Sequence, residues 1–285
     1  NEDVERGVRS LANVELDVLA YACTGGTWHR GSLAFDREMA EQMERASGVK
    51  SITAVTSCIE AMRRAVDEMA RPVYGRDGVG IGTYARADGV HLRIGAKAPT
   101  REDAWRLIQP IEHELQAIFG NAIWGSDDDT LEGVVGDALN KRQQTLATME
   151  STTGGLLAST LSDAPGADAY FMGGLVTYST KQEISAGVPA DLIEEFGNVS
   201  SEVAEAMSQV ARTQMQSDYG VAVTGAFGSD PQNGQPPGTI FVAVAGPNGG
   251  LQSMKTQMSQ GRAATKRRAI TTALLLLRRH ITDSP

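Results

Sequence analysis

A hydroxyl-rich turn between a predicted strand and a predicted helix is the segment of this sequence best suited to chemistry. Residues 146–149 form a short apolar or β-branched run typical of a buried strand, and Leu156–Leu161 is typical of the first turns of a helix. Between them, Glu150–Gly155 reads E-S-T-T-G-G. Its hydroxyls and backbone N–H groups are expected near the positive end of a helix dipole. There they can present a nucleophile, hold a phosphate, or do both.

The same turn also has a purely structural interpretation. Ser151 or Thr152 can serve as the N-cap of the helix, and the two glycines can let the chain change direction. Spacing alone favours this interpretation. The wider sequence favours a functional one.

Three segments resemble the C-terminal domain of the CinA family (competence/damage-inducible protein). They are E-S-T-T-G-G at residues 150–155, D-A-P-G-A at 163–167, and Y-F-M-G-G-L-V-T-Y-S at 170–179. The resemblance extends from about residue 138 to the end of the chain. It implies an α/β domain that hydrolyses the carboxamide of nicotinamide mononucleotide to the acid nucleotide plus ammonia.

The resemblance also implies a set of site residues. Amide hydrolysis by a hydroxyl needs a nucleophile, a base that takes its proton, and donors for the oxyanion. The resemblance assigns the nucleophile to Ser151, and Lys181 is the candidate base with Tyr178 beside it. No metal or organic cofactor is implied. The predicted substrate-binding residues, with Arg262 as a candidate phosphate partner, are Glu150, Thr152, Thr153, Gly154, Gly155, Gly225 and Arg262.

Two departures from the family pattern concern charged residues. The family has a lysine where this chain has Glu183, and Lys181 lies two residues earlier. If this segment is helical, Lys181 faces away from the serine; if it is an irregular loop, Lys181 can still reach it. A second family lysine is replaced by Gln235. These departures favour an alternative, a catalytically inactive nucleotide-binding or scaffold protein of the same fold.

The N-terminal segment supports a further alternative. Residues 17–26, D-V-L-A-Y-A-C-T-G-G, resemble the first active-site segment of maleate isomerases of the Asp/Glu racemase superfamily. That resemblance implies an isomerase or racemase with Cys23 as nucleophile. It stops near residue 70, however, and Cys58 lies on the wrong segment to be the partner cysteine. We therefore expect Cys23 to be structural.

The middle of the chain predicts a small α+β unit. Strands at residues 80–85 and 90–96 form a hairpin, and Thr100 caps an amphipathic helix. This segment resembles the KH-like middle domain of CinA proteins and lacks the G-x-x-G loop of RNA-binding KH folds. The prediction is a multidomain α/β protein. A partial β-α-β segment at 1–70 precedes a KH-like spacer or dimerisation domain at 71–137, and the CinA-type domain occupies 138–285.

Composition limits the partners and the compartment. The 285 residues carry a net charge of −9, which argues against a dedicated nucleic-acid binder. No apolar run is long enough to span a bilayer, and no signal peptide is visible. Two cysteines exclude a disulfide framework and favour a reducing cytoplasm. We expect a small-molecule nucleotide substrate and, by family resemblance, a homodimer.

Overall fold

The computed structural model describes residues 66–85, 90–257 and 261–283. The predictions for the isomerase-like segment, including those for Cys23 and Cys58, lie outside these residues. The chain divides into two compact units between Trp124 and Gly125, and each unit is described by itself. None of the helices in the described ranges is long and apolar enough to cross a membrane.

The first unit is a hairpin covered by one helix. Strands β1 (Val79–Ala85) and β2 (Val90–Ala96) pair antiparallel, and helix α1 spans Arg101–Phe119. The Thr100 hydroxyl accepts from the Asp103 N–H at 3.1 Å, so the predicted cap and hairpin are confirmed. The small core joins one face of the hairpin to α1; it contains Ala70, Val73, Ile111 and Leu115, with Val79, Ile81, Leu92, Ile94, Ile118 and Phe119 packed against them.

The second unit is a mixed α/β domain. In chain order its elements are α2 (Leu131–Arg142), β3 (Leu146–Glu150), α3 (Leu156–Ser162), β4 (Phe171–Val176), α4 (Thr180–Ser185), α5 (Ala190–Phe196), α6 (Ser201–Gln214), β5 (Tyr219–Gly225), β6 (Thr239–Ala245), β7 (Leu251–Gln257) and α7 (Arg262–Asp283). The domain boundary predicted between residues 137 and 138 falls inside α2, and the whole of α2 belongs to this second unit.

The five strands form one sheet in the order β4-β3-β5-β6-β7. Strands β4, β3 and β5 are parallel, whereas β6 and β7 continue the sheet antiparallel. Glu150, at the end of β3, lies between Val176 of β4 and Val223 of β5. The carboxyl ends of the three parallel strands therefore meet at one edge, which is where open α/β sheets bind ligands.

Helix α6 packs on the central strands and contributes most of one core layer. Val203, Met207 and Ala211 of α6 are fully buried against Ala147 and Ala222 of β3 and β5. Their spacing of three to four residues places them on one face of α6, and the Ser200 side chain accepts from the Val203 N–H as the cap of this helix. Strands β5 and β6 are buried along their whole length. The predicted multidomain α/β class is confirmed.

Candidate active site

The turn after β3 is held in place by its own backbone. The Ser151 N–H donates to the Val223 carbonyl at 3.0 Å, which ties the turn to β5, and the Gly154 N–H donates to the Ser151 carbonyl at 3.1 Å. Gly154 and Gly155 have φ values of +69° and +92°, a conformation that L side chains rarely adopt. The two glycines thus allow the sharp reversal that places Ser151 immediately ahead of α3.

Glu150 supports the turn from inside the domain. Its side chain is fully buried, and its carboxylate accepts from the N–H groups of Leu157 at 2.9 Å and Ala158 at 2.8 Å. The N-cap of α3 is Gly155, which makes no side-chain cap, so the interpretation of Ser151 or Thr152 as a cap is wrong. The prediction of Glu150 as a substrate contact is corrected as well. Both of its oxygens accept hydrogen bonds from backbone N–H groups of the first turn of α3, at the positive end of the helix dipole.

Two backbone donors of the turn remain available. Among the described residues, the N–H groups of Thr152 and Thr153 have no acceptor. The hydroxyls of the same two residues are buried and have no hydrogen-bond partner in the described part of the chain. A cluster of unsatisfied donors next to a serine is the arrangement that stabilises a developing oxyanion.

A polar cleft opens over Ser151. It brings together five of the predicted site residues, Ser151, Thr152, Tyr178, Gly225 and Arg262. Gly225 is required there because a Cβ on it would lie 2.6 Å from the Thr239 carbonyl oxygen. No group of three or more His, Cys, Asp or Glu within the described ranges could hold a metal ion. The complete lining is Ser151, Thr152, Tyr178, Asn198, Val199, Thr224, Gly225, Phe227, Gly228, Gln232 and Arg262.

The first turns of α7 present cations to the cleft and the turn. Arg262 donates to the Tyr178 hydroxyl at 2.5 Å. Lys266 lies one helical turn later on the same face, and its Nζ would be 3.4 Å from a Cβ placed on Gly154. The first turn of α7 contains no acidic residue. Arg262 and Lys266 therefore lie near the N-terminal end of the helix, where the helix dipole is unfavourable to positive charge. This arrangement favours an anionic ligand.

Lys181 does not reach Ser151. The segment is helical (α4), and Lys181 is exposed and makes no hydrogen bond or ion pair within the described chain. Glu183 is two residues later, more than half a turn around the helix, and is fully buried. The structure therefore places Glu183, not Lys181, beside the serine.

The environment of Glu183 is unusual for a carboxyl group. Both of its oxygens are buried and lack a hydrogen bond of regular geometry within the described ranges. Burial raises the pKa of the Glu183 carboxyl above its usual value, and the nearby Ser151 hydroxyl opposes this effect by lowering the pKa. Burial and Ser151 are the two causes, with no charged neighbour contributing. Among the described residues, the side chain that affects this pKa through a hydrogen bond is therefore Ser151, the candidate nucleophile.

The raised pKa predicts a pH-dependent cost in stability. Between the unfolded and folded pKa values of Glu183 the native state binds more protons, so stability falls as pH rises through this window and stays reduced above it. We expect the free energy of unfolding of Glu183→Gln to exceed that of the unmodified chain by an amount that grows as pH rises above the ordinary glutamate pKa of 4.5. Each unit of pKa shift corresponds to about 1.4 kcal/mol of this difference. Urea unfolding of both proteins between pH 4 and pH 8 measures this difference. A difference that is independent of pH would contradict the assignment.

Several residues of the site were not assigned by sequence reasoning, among them Glu183, Asn198, Thr224 and Lys266. Asn198 and Thr224 line the cleft, and the Thr224 hydroxyl donates to the Asn198 carbonyl at 2.8 Å. Their roles depend on tertiary contacts that a sequence pattern does not specify. The signal for Lys266 was its spacing of four residues from Arg262, which puts both cations on one face of a helix.

Fold and site together define an α/β domain with a polar cleft at the carboxyl ends of its parallel strands. Family models agree with this class and refine it. The CinA C-terminal domain model matches residues 128–281, and the model of the KH domain of damage-inducible protein CinA matches residues 64–125. The chain belongs to the CinA family, as its motifs predicted.

Individual relatives give the extent of the similarity. A CinA-like protein from Frankia casuarinae is 39% identical over 227 residues, covering 79% of this chain and 51% of the relative. A CinA-like protein from Thermosynechococcus vestitus is 38% identical, covering 72% of this chain and 50% of the relative. The chain thus spans about half the length of the curated relatives it matches.

Solved structures match about half of the chain. A CinA-superfamily protein from Klebsiella pneumoniae is 26% identical with a TM-score of 0.52, covering 54% of this chain and 97% of that one. Competence damage-inducible protein A from the same species is also 26% identical, with a TM-score of 0.53 and the same coverage. The CinA-type fold predicted for the last domain is confirmed.

Proposed function

We propose that the cleft over Ser151 hydrolyses the carboxamide of nicotinamide mononucleotide to the acid nucleotide and ammonia. The observation that carries this proposal is the arrangement around Ser151. Ser151 lines an open polar cleft and has a buried carboxyl beside it, and the two backbone N–H groups that follow have no acceptor among the described residues. Nucleophile, proton acceptor and oxyanion donors are the three requirements of amide hydrolysis by a hydroxyl.

In this proposal the carboxamide and the phosphate of the substrate occupy opposite ends of the site. The carboxamide carbon lies over Ser151, and its oxygen accepts from the N–H groups of Thr152 and Thr153. The phosphate lies toward the start of α7, where Arg262 and Lys266 supply positive charge. Tyr178 lines the same cleft and accepts a hydrogen bond from Arg262.

Direct product analysis tests the proposal. The full chain incubated with nicotinamide mononucleotide is expected to release ammonia and acid nucleotide in equal amounts. Nicotinamide riboside, which lacks the phosphate, is the matched comparison compound. We expect a lower rate with it, because it cannot interact with the cations of α7 through a phosphate. Equal rates on the two compounds would contradict the assigned phosphate site.

Removal of the Lys266 charge tests the phosphate end separately. We expect Lys266→Met to raise KM for nicotinamide mononucleotide by about tenfold with kcat nearly unchanged, because a phosphate contact binds substrate and transition state alike. Arg267→Met is the matched control, since Arg267 is the adjacent, exposed cation. Steady-state ammonia assays give both parameters. An unchanged KM in Lys266→Met, or an equal rise in Arg267→Met, would exclude the specific contact.

Nucleotide binding without hydrolysis is the second candidate, and the outward position of Lys181 favours it. In that case the chain binds nicotinamide mononucleotide, detectable by calorimetry, and releases no ammonia. The predictions of a homodimer, of a cytoplasmic location and of no nucleic-acid partner stay predictions. Sedimentation of the full chain and RNA titration at physiological salt test the dimer and the nucleic-acid prediction.

A further inference from the structure

Within the described part of the chain, Glu183 has no ion-pair partner and no regular hydrogen bond that accounts for its burial. Its side chain is fully buried although both carboxyl oxygens lack a regular hydrogen bond among the described residues. Burying a carboxyl without such partners costs free energy, so a position like this persists when another constraint maintains it. Glu150 offers a contrast within the same domain, because its equally buried carboxylate accepts two backbone hydrogen bonds.

The surroundings of Glu183 direct it toward Ser151. It projects from the first turn of α4, and the Ser151 hydroxyl is the polar side chain that interacts with it. Ser151 lines the cleft, whereas Glu183 does not, so the carboxyl lies on the buried side of the serine. A base in this position is shielded from bulk solvent and lies beside the reacting oxygen without blocking the substrate, and a water admitted through the cleft can approach it along the ester.

We propose that Glu183 is the general base and acid of the Ser151 reaction, in the place where the CinA pattern has a lysine. This inference rests on the proposed function. It adds a catalytic residue that neither composition nor motif assigns, and it explains how the site can work although Lys181 faces away from it.

The proton transfers balance over two half-reactions. The Glu183 carboxylate takes the Ser151 proton as Oγ bonds to the carboxamide carbon. The same proton then passes to the leaving nitrogen as the C–N bond breaks and ammonia departs, which leaves an ester on Ser151. Glu183 next takes a proton from a water that attacks the ester carbon. It returns that proton to Ser151 Oγ as the C–O bond breaks and the acid nucleotide is released.

Burial suits Glu183 to this exchange. A carboxyl at its ordinary pKa is a weak base, and the raised pKa of Glu183 brings it closer to the pH at which proton transfer in both directions is efficient. The rate is expected to depend on the deprotonated form in the free enzyme. The kcat/KM for ammonia release therefore rises with pH through the raised pKa and then levels off.

Isosteric substitution tests the inference. We expect Glu183→Gln to lose about 100-fold or more in kcat for ammonia release, while its Kd for nicotinamide mononucleotide stays within about twofold. Glu183→Asp is expected to retain partial activity with the same type of pH profile. Glu195→Gln, a loss of the same charge at an exposed position of α5, and Lys181→Met are matched controls expected to keep full activity.

Each outcome decides between specific accounts. Full activity in Glu183→Gln with loss in Ser151→Ala would overturn the role of Glu183 and leave the proposed function standing. Loss in Lys181→Met with activity kept in Glu183→Gln would make the lysine the base. No ammonia from the unmodified chain would overturn both proposals. If Glu183→Gln fails to fold, the pH profile of the unmodified chain decides, since a flat profile between pH 4 and pH 8 contradicts a carboxylate base.

Discussion

Ser151→Ala is expected to lower ammonia release from nicotinamide mononucleotide by at least about 100-fold, because no neighbouring hydroxyl replaces an activated nucleophile. Nucleotide binding is expected to persist, since the cations of α7 and the backbone of the turn are untouched. Stability is expected to change by only about 1 kcal/mol, because the Ser151 backbone, not its hydroxyl, ties the turn to β5. Ammonia assays, calorimetry and urea unfolding measure the three effects.

The matched control for this variant is Ser179→Ala. Ser179 is also a serine of the same domain, and its hydroxyl accepts from the Gln182 N–H at 3.4 Å as the cap of α4. It lies outside the cleft lining, so we expect its loss to cost about 1 kcal/mol of stability and little activity. Equal losses of activity in the two variants would indicate that a disturbed fold, not a missing nucleophile, explains the result for Ser151.

Gly220→Ala is expected to be the most destabilising small substitution in the second unit. Gly220 lies on β5 directly under α6, where a Cβ would overlap the Ser208 carbonyl oxygen and lie 2.8 Å from the Arg212 backbone nitrogen. Both obstacles are backbone atoms, so the helix itself must move away from the sheet. We expect a loss of about 3 kcal/mol and a Tm lower by about 6–12 °C.

Gly228→Ala is the control for this substitution. Its Cβ would meet only the Asp230 backbone, at 3.8 Å and 3.9 Å, which is ordinary van der Waals contact. We expect its stability to stay within about 0.5 kcal/mol of the unmodified chain. Thermal unfolding followed by circular dichroism compares the two variants. A Gly220→Ala protein as stable as Gly228→Ala would contradict the close packing of α6 on β5.

Local patterns predicted most of the elements. The hairpin of β1 and β2 and the Thr100 cap each depend on contacts within a few residues, and both are confirmed. The turn at 150–155 was also placed correctly between a strand and a helix. The boundary predicted at 137/138 lies within α2, and the contacts of α2 place the whole helix in the second unit.

The chemistry of the site was harder to predict because it depends on tertiary neighbours. Glu150 and Glu183 are both buried glutamates near Ser151, and only their partners separate them. Glu150 accepts two backbone hydrogen bonds at the start of α3, whereas Glu183 interacts with the Ser151 hydroxyl. The orientation of Lys181 turned on whether residues 180–185 are helical, which the sequence left open and the structure decides. Lys266 is close to Gly154 only because α7 returns to the turn from the far end of the domain.

The position of Glu183 implies a balance between stability and activity. The ionised form that accepts a proton is also the form that burial penalises, so the base would be present at a cost to the native state. The Glu183→Gln protein is expected to be both more stable at neutral pH and less active. Finding both effects in one variant would support a functional reason for the burial of this carboxyl.

Capture of the covalent intermediate tests the central claim most directly. The full chain is mixed with nicotinamide mononucleotide, quenched in acid during turnover, and digested, and the mass of the peptide that contains Ser151 is measured. The account predicts that this peptide gains the mass of the acid nucleotide joined as an ester, and that Ser151→Ala shows no such gain. Continued ammonia release with Ser151 unmodified, or an adduct on another residue, would contradict the account.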